Sequence, residues 1–474
     1  MEWIQNFTNF LAVNFYNAYM ISLLLGTGLL LTIITKVVQV KKFNTGLKLI
    51  LRGALRKDQT KDVTGDISPF QALTATLSGT IGNGNIAGVA TTIALGGPGG
   101  VLWMWATGMV GMATKFSEVF LSLKYRQVHE DGSMAGGPMY YIRNGLKKIV
   151  FLKKFAIPLS VMFAVCGAWT ALLGTGNMIQ SNSIALAFNT HFNIPFWISG
   201  GVISILSGMV ILGGIKRIGA VAELLVPFMV ILYVLSALII LLINIDKIPS
   251  AFTLIVKSAF SYQAAIGGYL GHTVKEAVRL GVSRGLLSNE SGLGSAAIVH
   301  GAAKTKSPMN QAMIGMIGPF IDTILVCTMT ALTIILTGAY MIIDSETGLT
   351  LTSTALTTEA FNSVLPYFGG LVVSLSSFLF GFSTIIGWYY IGEQCFEYLF
   401  GIRITKGYKI AYLILCFIGS ILQKENLPAV WDIGVVFNGL MAIPNLIALL
   451  ALSNIVKKGV NEYYNINKRA SNKL

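Results

Sequence analysis

The residues with the clearest chemical potential lie in one apolar stretch, Ser78-Gly79-Thr80-Ile81-Gly82-Asn83-Gly84-Asn85-Ile86-Ala87-Gly88, which sets two carboxamides and four glycines inside a hydrophobic run. An amide buried in hydrocarbon must be satisfied, and glycines interrupt a helix without filling the space they open. A helix broken there frees backbone N–H groups, which suit an anionic group, and carbonyls, which suit a cation. Gly84 and Gly88 also form a GxxxG, a pattern that commonly marks close helix packing with no ligand. Packing glycines do not require two amides beside them, so Asn83 and Asn85 tip the balance toward binding. The spacing is wrong for GxGxxG and no βαβ context surrounds it, which excludes a nucleotide loop.

The elements that must position these groups are transmembrane helices. The chain has 474 residues, 54% hydrophobic and 11% charged, against about 25% charged in soluble domains. Apolar runs close to the ~20 residues that cross a bilayer recur from end to end. They predict eleven spans, at about 17–40, 68–95, 98–123, 155–180, 195–213, 219–243, 252–273, 309–340, 367–398, 408–422 and 430–455. Thirty of the 34 Lys and Arg fall in six alternate gaps, Lys36–Lys61, Lys124–Lys154, Lys216–Arg217, Lys275–Lys306, Arg403–Lys409 and the tail from Lys457. Positive charge stays cytoplasmic, so this alternation predicts an N-terminus outside and a C-terminus in the cytoplasm of a multi-pass plasma (inner) membrane protein. The net charge of +14 is then loop charge facing a lipid bilayer, not a nucleic-acid footprint.

Other chemistries find little support. The four histidines are scattered, and neither HExxH nor GxSxG occurs, which argues against an enzyme. Cys166, Cys327, Cys395 and Cys416 sit in apolar runs with no CxxC pair and read as packing residues. Met1–Tyr16 carries no Lys or Arg, unlike the basic start of a cleaved signal peptide. A second glycine-rich interruption, Gln263-Ala-Ala-Ile-Gly-Gly-Tyr-Leu-Gly271, falls in the seventh run, five spans after the first. Interrupted spans at corresponding places in two halves predict an inverted repeat. The predicted organisation is an extra helix and basic loop over 1–67, one half over 68–243, a second over 252–455 and a basic tail over 456–474.

Five motifs carry a family likeness: GNIAGVATTIALGGPGGVLWMW at 84–105, GGPMYYI at 136–142, GIKRI at 214–218, GVSRGLLSNESGLGS at 281–295, and FSTIIGWYYIGE at 382–393 followed by EYLFG at 397–401. In this order the chain resembles the alanine or glycine:cation symporter family. The resemblance implies an all-α, leucine-transporter-type fold with a 5+5 inverted-repeat core of ten helices, preceded by one extra helix. It implies coupling of sodium, or in some members protons, to uptake of alanine or glycine, with no obligate protein partner evident. Gly82, Asn83, Gly84 and Asn85, with Thr80 nearby, are then expected to hold the substrate, and Gln263 is a weaker candidate. The likeness also sets the ninth span against the second. There Ser383 is expected to ligate Na+, Thr384 and Thr80 to serve both ion and substrate, and Trp388 to close the pocket with Phe382 and Ile385. Without the resemblance, Trp388 would be read as lipid-facing or interfacial.

The remaining polar residues read differently. Lys115 and Glu118 are expected to pair or snorkel near a cytoplasmic surface. Glu223 is read as structural and Asp322 is left open. Asn289, Glu290, Gly292 and Gly294 are expected in a cytoplasmic gate rather than in the binding site. A proton-coupled symporter of the same fold and an ion channel stand as alternatives.

Overall fold

A computed structural model of the chain describes residues 18–55, 63–129, 132–260, 274–343, 350–422 and 427–471. Among them, six helical stretches are long and apolar enough to cross a membrane: Lys153–Asn189, Gly214–Ile243, Pro308–Thr337, Phe368–Phe400, Ile402–Ile421 and Val430–Ala451. Tyr19–Ile34 and Phe196–Ile211 are shorter apolar helices. Large apolar side chains such as Trp197, Leu224 and Ile231 are more than half exposed on these helices. So much exposed apolar surface suits lipid, not water.

The chain enters through α1 (Ala18–Ile34) and the amphipathic α2 (Phe43–Ala54). The run carrying the two amides does form an interrupted helix. α3 (Pro69–Thr80) starts with a capping box, in which Ser68 accepts from the Gln71 amide and Pro69 occupies the first turn. It stops where Ile81 and Gly82 turn extended; a 3-10 turn over Asn83–Asn85 follows, and α4 (Ala87–Gly96) continues. α5 (Gly100–Tyr125) then runs the other way. A two-stranded hairpin, β1 (Gln127–Val128) and β2 (Met134–Ala135), leads to the short α6 (Pro138–Leu146). α7 (Ala156–Leu173) and α8 (Met178–Phe192) are separated by Gly174-Thr175-Gly176-Asn177, and α9 (Phe196–Ile211) and α10 (Gly214–Ile243) follow.

The second half departs from the expected pattern. The predicted seventh span, 252–273, falls partly on α11 (Ile248–Phe260), and its glycine-rich interruption with Gln263 lies outside the described residues. The interrupted helix described here comes later: α12 (Val274–Asn289), a break at Glu290–Gly294, and α13 (Ser295–Gly301). Its direction is fixed by contacts along α5. A Cβ on Gly281 would meet Gly100 O at 2.3 Å, Asn289 donates to Thr107 Oγ1 at 3.3 Å, and Ser122 Oγ donates to Ala297 O at 2.5 Å. Arg126 reaches Ala303 O at 2.9 Å. α12 and α13 thus run parallel to the whole length of α5. Asn289, Glu290, Gly292 and Gly294, expected at a cytoplasmic gate, lie in and beside the break of this helix, alongside the middle of α5. The sequence did not single out α12 because Lys275, Glu276, Arg279 and Arg284 make it too polar to read as a span, although its Ala277, Leu280 and Gly281 face packs on α4 and α5.

The two interrupted helices are antiparallel. Asp66 N–H donates to Ala302 O at 2.8 Å where α3 begins and α13 ends, and a Cβ on Gly96 would touch Leu280 where α4 ends and α12 begins. Their breaks meet in the middle, with Asn85 Nδ2 donating to Ser288 Oγ at 3.1 Å. The chain continues through α14 (Pro308–Gly315), a π-helical stretch over Phe320–Cys327 and α15 (Thr328–Thr337). After α16 (Ser353–Asn362) come α17 (Phe368–Phe400), α18 (Thr405–Ile421), α19 (Leu427–Ala451) and the amphipathic α20 (Ser453–Ser471).

Candidate functional site

A cavity of about 60 Å³ lies where the α3–α4 break faces α17. Thr80, Gly82 and Gly84 line it from the first interrupted helix, and Thr384 and Trp388 from α17. Gly84 and Gly88 settle the choice posed by their GxxxG. Among the described residues a Cβ built on either meets nothing within 4 Å, and both residues line the cavity. They clear space and do not seat a neighbouring helix. Gly84→Ala is therefore expected to change stability by no more than the ~0.5 kcal/mol of a neutral substitution; a clear drop in the thermal unfolding midpoint in detergent would return Gly84 to a packing role.

Close packing is the business of other glycines. A Cβ on Gly387 would lie 2.7 Å from Gly79 N, so α17 crosses α3 backbone to backbone. That approach brings two hydroxyls of α17 to the end of α3. Thr384 Oγ1 lies 3.3 Å and Ser383 Oγ 3.5 Å from Ile81 O, and each also donates to Phe380 O, at 2.9 and 2.8 Å. Ile81 O is one of the carbonyls left over where a helix ends, carrying the negative end of its dipole. Two hydroxyl oxygens and a carbonyl gathered there form an oxygen set of the kind a hard cation uses. Thr80 faces the cavity, but its hydroxyl donates back to Thr76 O at 2.8 Å.

The two amides lie behind the cavity wall and serve the break itself. Asn85 Oδ1 accepts Gly82 N–H at 3.0 Å, and its Nδ2 donates to Asp322 Oδ1 at 2.6 Å and to Ser288 Oγ. Asn83 Nδ2 donates to Gln180 Oε1 at 3.1 Å, and Asn83 Oδ1 accepts from Ser377 Oγ at 2.6 Å. Asn85 thus caps the freed backbone, and each amide ties the break to two other elements. Asp322, left open by the sequence, is a structural hub: its oxygens also accept from Ser288 Oγ at 2.8 Å and Thr323 Oγ1 at 2.7 Å. The π-helical turn around it swings Asp322 and Cys327 toward Asn85. Glu223 accepts from Gln71 Nε2 at 2.9 Å, a structural contact between α10 and α3 as expected.

Trp388 does not face lipid. It is 1% exposed and lies between Gly79 of α3 and Gly176 of the α7–α8 break, where a Cβ would come within 2.6 Å of its own Cβ. Its indole N–H donates to Glu290 Oε1 at 2.9 Å, and Glu290 itself lines the cavity. Phe382 and Ile385, expected beside Trp388, are buried, Phe382 stacked on Phe378. Sequence reasoning missed Thr175 in the α7–α8 break and Gln180 in the first turn of α8, which line the cavity, and Arg284 and Ser288 from α12. The signal for the first pair was present in Gly174-Thr175-Gly176-Asn177, a glycine and amide cluster inside an apolar run.

Lys115 and Glu118 do not snorkel. Both are fully buried on α5. Glu118 Oε1 accepts from Gly292 N–H at 3.0 Å, Gly294 N–H at 3.1 Å and Asn445 Nδ2 at 2.7 Å, clamping the α12–α13 break. Asn445 Oδ1 accepts in turn from the Tyr141 hydroxyl. Lys115 Nζ has no hydrogen-bond partner among the described residues and lies in electrostatic reach of Glu118, Glu290 and Asp322.

Comparison with known proteins agrees with this geometry. The sodium:alanine symporter family matches the chain over residues 1–474. The sodium/alanine symporter AgcS of Methanococcus maripaludis is 45% identical over 96% of both chains. An uncharacterized transporter of Haemophilus influenzae is 44% identical over 95% of this chain and 94% of its own. Among solved structures, MhsT in complex with L-phenylalanine superposes with a TM-score of 0.56 at 11% identity, covering 84% of this chain and 98% of that one. A match along the full length, together with two antiparallel interrupted helices around one central cavity, identifies the chain as a multi-pass transporter belonging to the sodium:alanine symporter family.

Proposed function

We propose that this protein imports a small neutral amino acid, alanine or glycine, together with sodium, by alternating access. The observation that carries the reading is the meeting of two helix breaks beside a small cavity closed by Trp388. Freed amides around Gly82–Gly84 and the start of α4 would receive the substrate carboxylate. Thr80 and Thr384, with the missed Gln180 and Thr175, would supply oxygens for the ammonium. Asn83 and Asn85 would act by holding the break open, and Gln263 is retained as a candidate from the undescribed segment. Ser383, Thr384 and Ile81 O would hold the sodium ion at the end of α3. The small cavity and the bulk of Trp388 favour substrates with short side chains.

The deciding experiment is uptake of labelled alanine by proteoliposomes, with sodium and proton gradients imposed separately. Accumulation with sodium alone supports the reading. Accumulation with the proton gradient alone would replace the coupling ion, and gradient-independent equilibration would indicate a channel. Ser383→Ala should raise the sodium concentration for half-maximal uptake about five- to hundredfold, the ~1–3 kcal/mol of one lost buried polar partner. Unchanged sodium dependence would remove Ser383 from the ion site.

The same reading gives eleven crossings in two inverted halves, 68–243 and 252–455, with α12–α13 as the first crossing of the second half and α11 lying outside the bilayer. Once the span is moved, Lys304 and Lys306 remain as the basic gap that follows α13, while Lys275, Arg279 and Arg284 fall within the crossing itself. Cysteines placed at the exposed Asp246 and at Gly407 should therefore label from outside and from the cytoplasm respectively. Labelling of both from one side would refute the count and the orientation.

A further inference from the structure

We propose that Glu290 sets the substrate-size limit of the cavity by holding the Trp388 indole across it, through a carboxylate whose own backbone is kept in a strained conformation. The inference rests on the cavity being the amino-acid site. Three observations converge on Glu290. Its Oε1 accepts the Trp388 Nε1–H at 2.9 Å while its Oε2 accepts Ser295 Oγ at 2.5 Å, so the carboxylate is oriented at both oxygens. Its φ is 54°, a left-handed conformation that a side-chain-bearing residue adopts at a cost. The surrounding turn is held in place from the other side, because Gly292 and Gly294, also left-handed, donate their amides to Glu118.

Trp388 makes the dependence physical. A buried indole N–H without a partner is costly, so the ring turns toward an acceptor wherever one is placed. Gly79 and Gly176 flank Trp388, where a Cβ would come within 3.6 and 2.6 Å of its atoms, and neither residue has a side chain to accept from the indole N–H. The edge that faces the cavity is selected by Glu290. Without that acceptor the indole is free to turn toward the open space beside Gly84 and Gly88 or away from it. Glu290 also joins the wall of the cavity to the α12–α13 break, so a substrate pressing on Trp388 presses on the turn that Glu118 clamps. Glu290 acts here as a positioning residue whose target is Trp388.

The test uses the full-length transporter in proteoliposomes. Glu290→Ala should raise the half-saturating alanine concentration about tenfold while changing the maximal rate by less than about twofold, the signature of lost binding without lost turnover. It should also reduce the preference for alanine over leucine by about tenfold or more, the scale on which a few methylenes are discriminated. Glu290→Gln, whose amide oxygen can still accept from the indole, should restore both to within about threefold of wild type. Trp388→Phe, which deletes the N–H, should relax the preference to a similar extent, and adding Glu290→Ala to it should have no further effect, as expected of two residues acting through one contact. If Glu290→Ala does not reach the membrane, Trp388→Phe carries the same expectation.

Additive effects would overturn the proposal, as would a lower maximal rate with alanine affinity and size preference unchanged, which is the behaviour of a purely structural residue. A wild type that accumulates no alanine refutes the transport reading instead. The size limit is then measured without substrate, on a Gly84→Cys background labelled with small and bulky methanethiosulfonates. There Glu290→Ala should speed the bulky reagent about tenfold relative to the small one, and an unchanged ratio rejects the role of Glu290.

Discussion

Glu118→Ala is expected to abolish recovery of folded protein, whereas Glu118→Gln should be recovered with reduced stability. The Glu118 carboxylate accepts three hydrogen bonds, two of them from the amides of Gly292 and Gly294. Those amides lie in a turn with left-handed residues at 290, 292 and 294 and have no helix to satisfy them. Glu118 is also the nearest sequence neighbour of opposite sign to Lys115, one turn away on the same helix, whose ammonium is buried without a hydrogen-bond partner among the described residues. Removing one member of a buried charge arrangement costs about 3–5 kcal/mol, comparable with much of the stability of a protein. Glutamine keeps one oxygen for the amides and gives up the charge, so its cost should be smaller. Size-exclusion profiles and melting midpoints in detergent decide between the variants. A monodisperse Glu118→Ala protein with a normal midpoint would show that the α12–α13 break does not depend on this clamp.

Asn85→Ala is expected to lower both stability and apparent affinity for alanine, and to do so together. The side chain does not face the cavity. It accepts Gly82 N–H and donates to Asp322 and Ser288, so its loss leaves a buried amide and a buried carboxylate each short of a partner. At about 1–3 kcal/mol for each of the two unsatisfied groups, the combined cost is about 2–6 kcal/mol. The α3–α4 break is then free to relax, and the amides aimed at the cavity lose their placement. Affinity should fall by more than about tenfold, since ~1.4 kcal/mol corresponds to a factor of ten. Asp322→Asn, which keeps an acceptor oxygen for Asn85, is the companion measurement and should lose less than half as much. If Asn85→Ala loses affinity at full stability, the amide touches substrate directly and the placement described here is wrong. If it loses neither, the break is held by other groups.

Asn85 and Gly84 show how far the sequence could be read. Asn85 was recognisable because a carboxamide among glycines in an apolar run has no cheap explanation, and its importance followed without any structure. Its role did not follow. An amide has a carbonyl and an NH2 group and can serve a ligand or a backbone break equally well, and only the positions of Asp322 and Ser288, more than two hundred residues away in the chain, decide between them. Gly84 shows the converse. GxxxG has one spelling for packing and for open space, and the choice was made by the absence of any neighbour within 4 Å among the described residues.

The pairing of α17 with the first helix break was implied only by the family resemblance, whereas the membrane class, the family and the break itself were present in the chain. They rest on local properties: the length of apolar runs, the cost of burying an amide, the spacing of glycines and the order of motifs. The position of the second break was not. Hydropathy treats a helix as though lipid surrounded it, whereas α12 buries the Ala277, Leu280 and Gly281 face against α4 and α5 and carries its four charged residues on the rest of its surface. For the same reason Glu290 read as a residue of a polar loop, and Lys115 as a side chain near a surface. Burial inside a bundle is a property of the neighbours an element acquires, and those neighbours come from distant parts of the chain. Only the tertiary structure could place Glu290 against Trp388 and Glu118 beneath the turn that follows it.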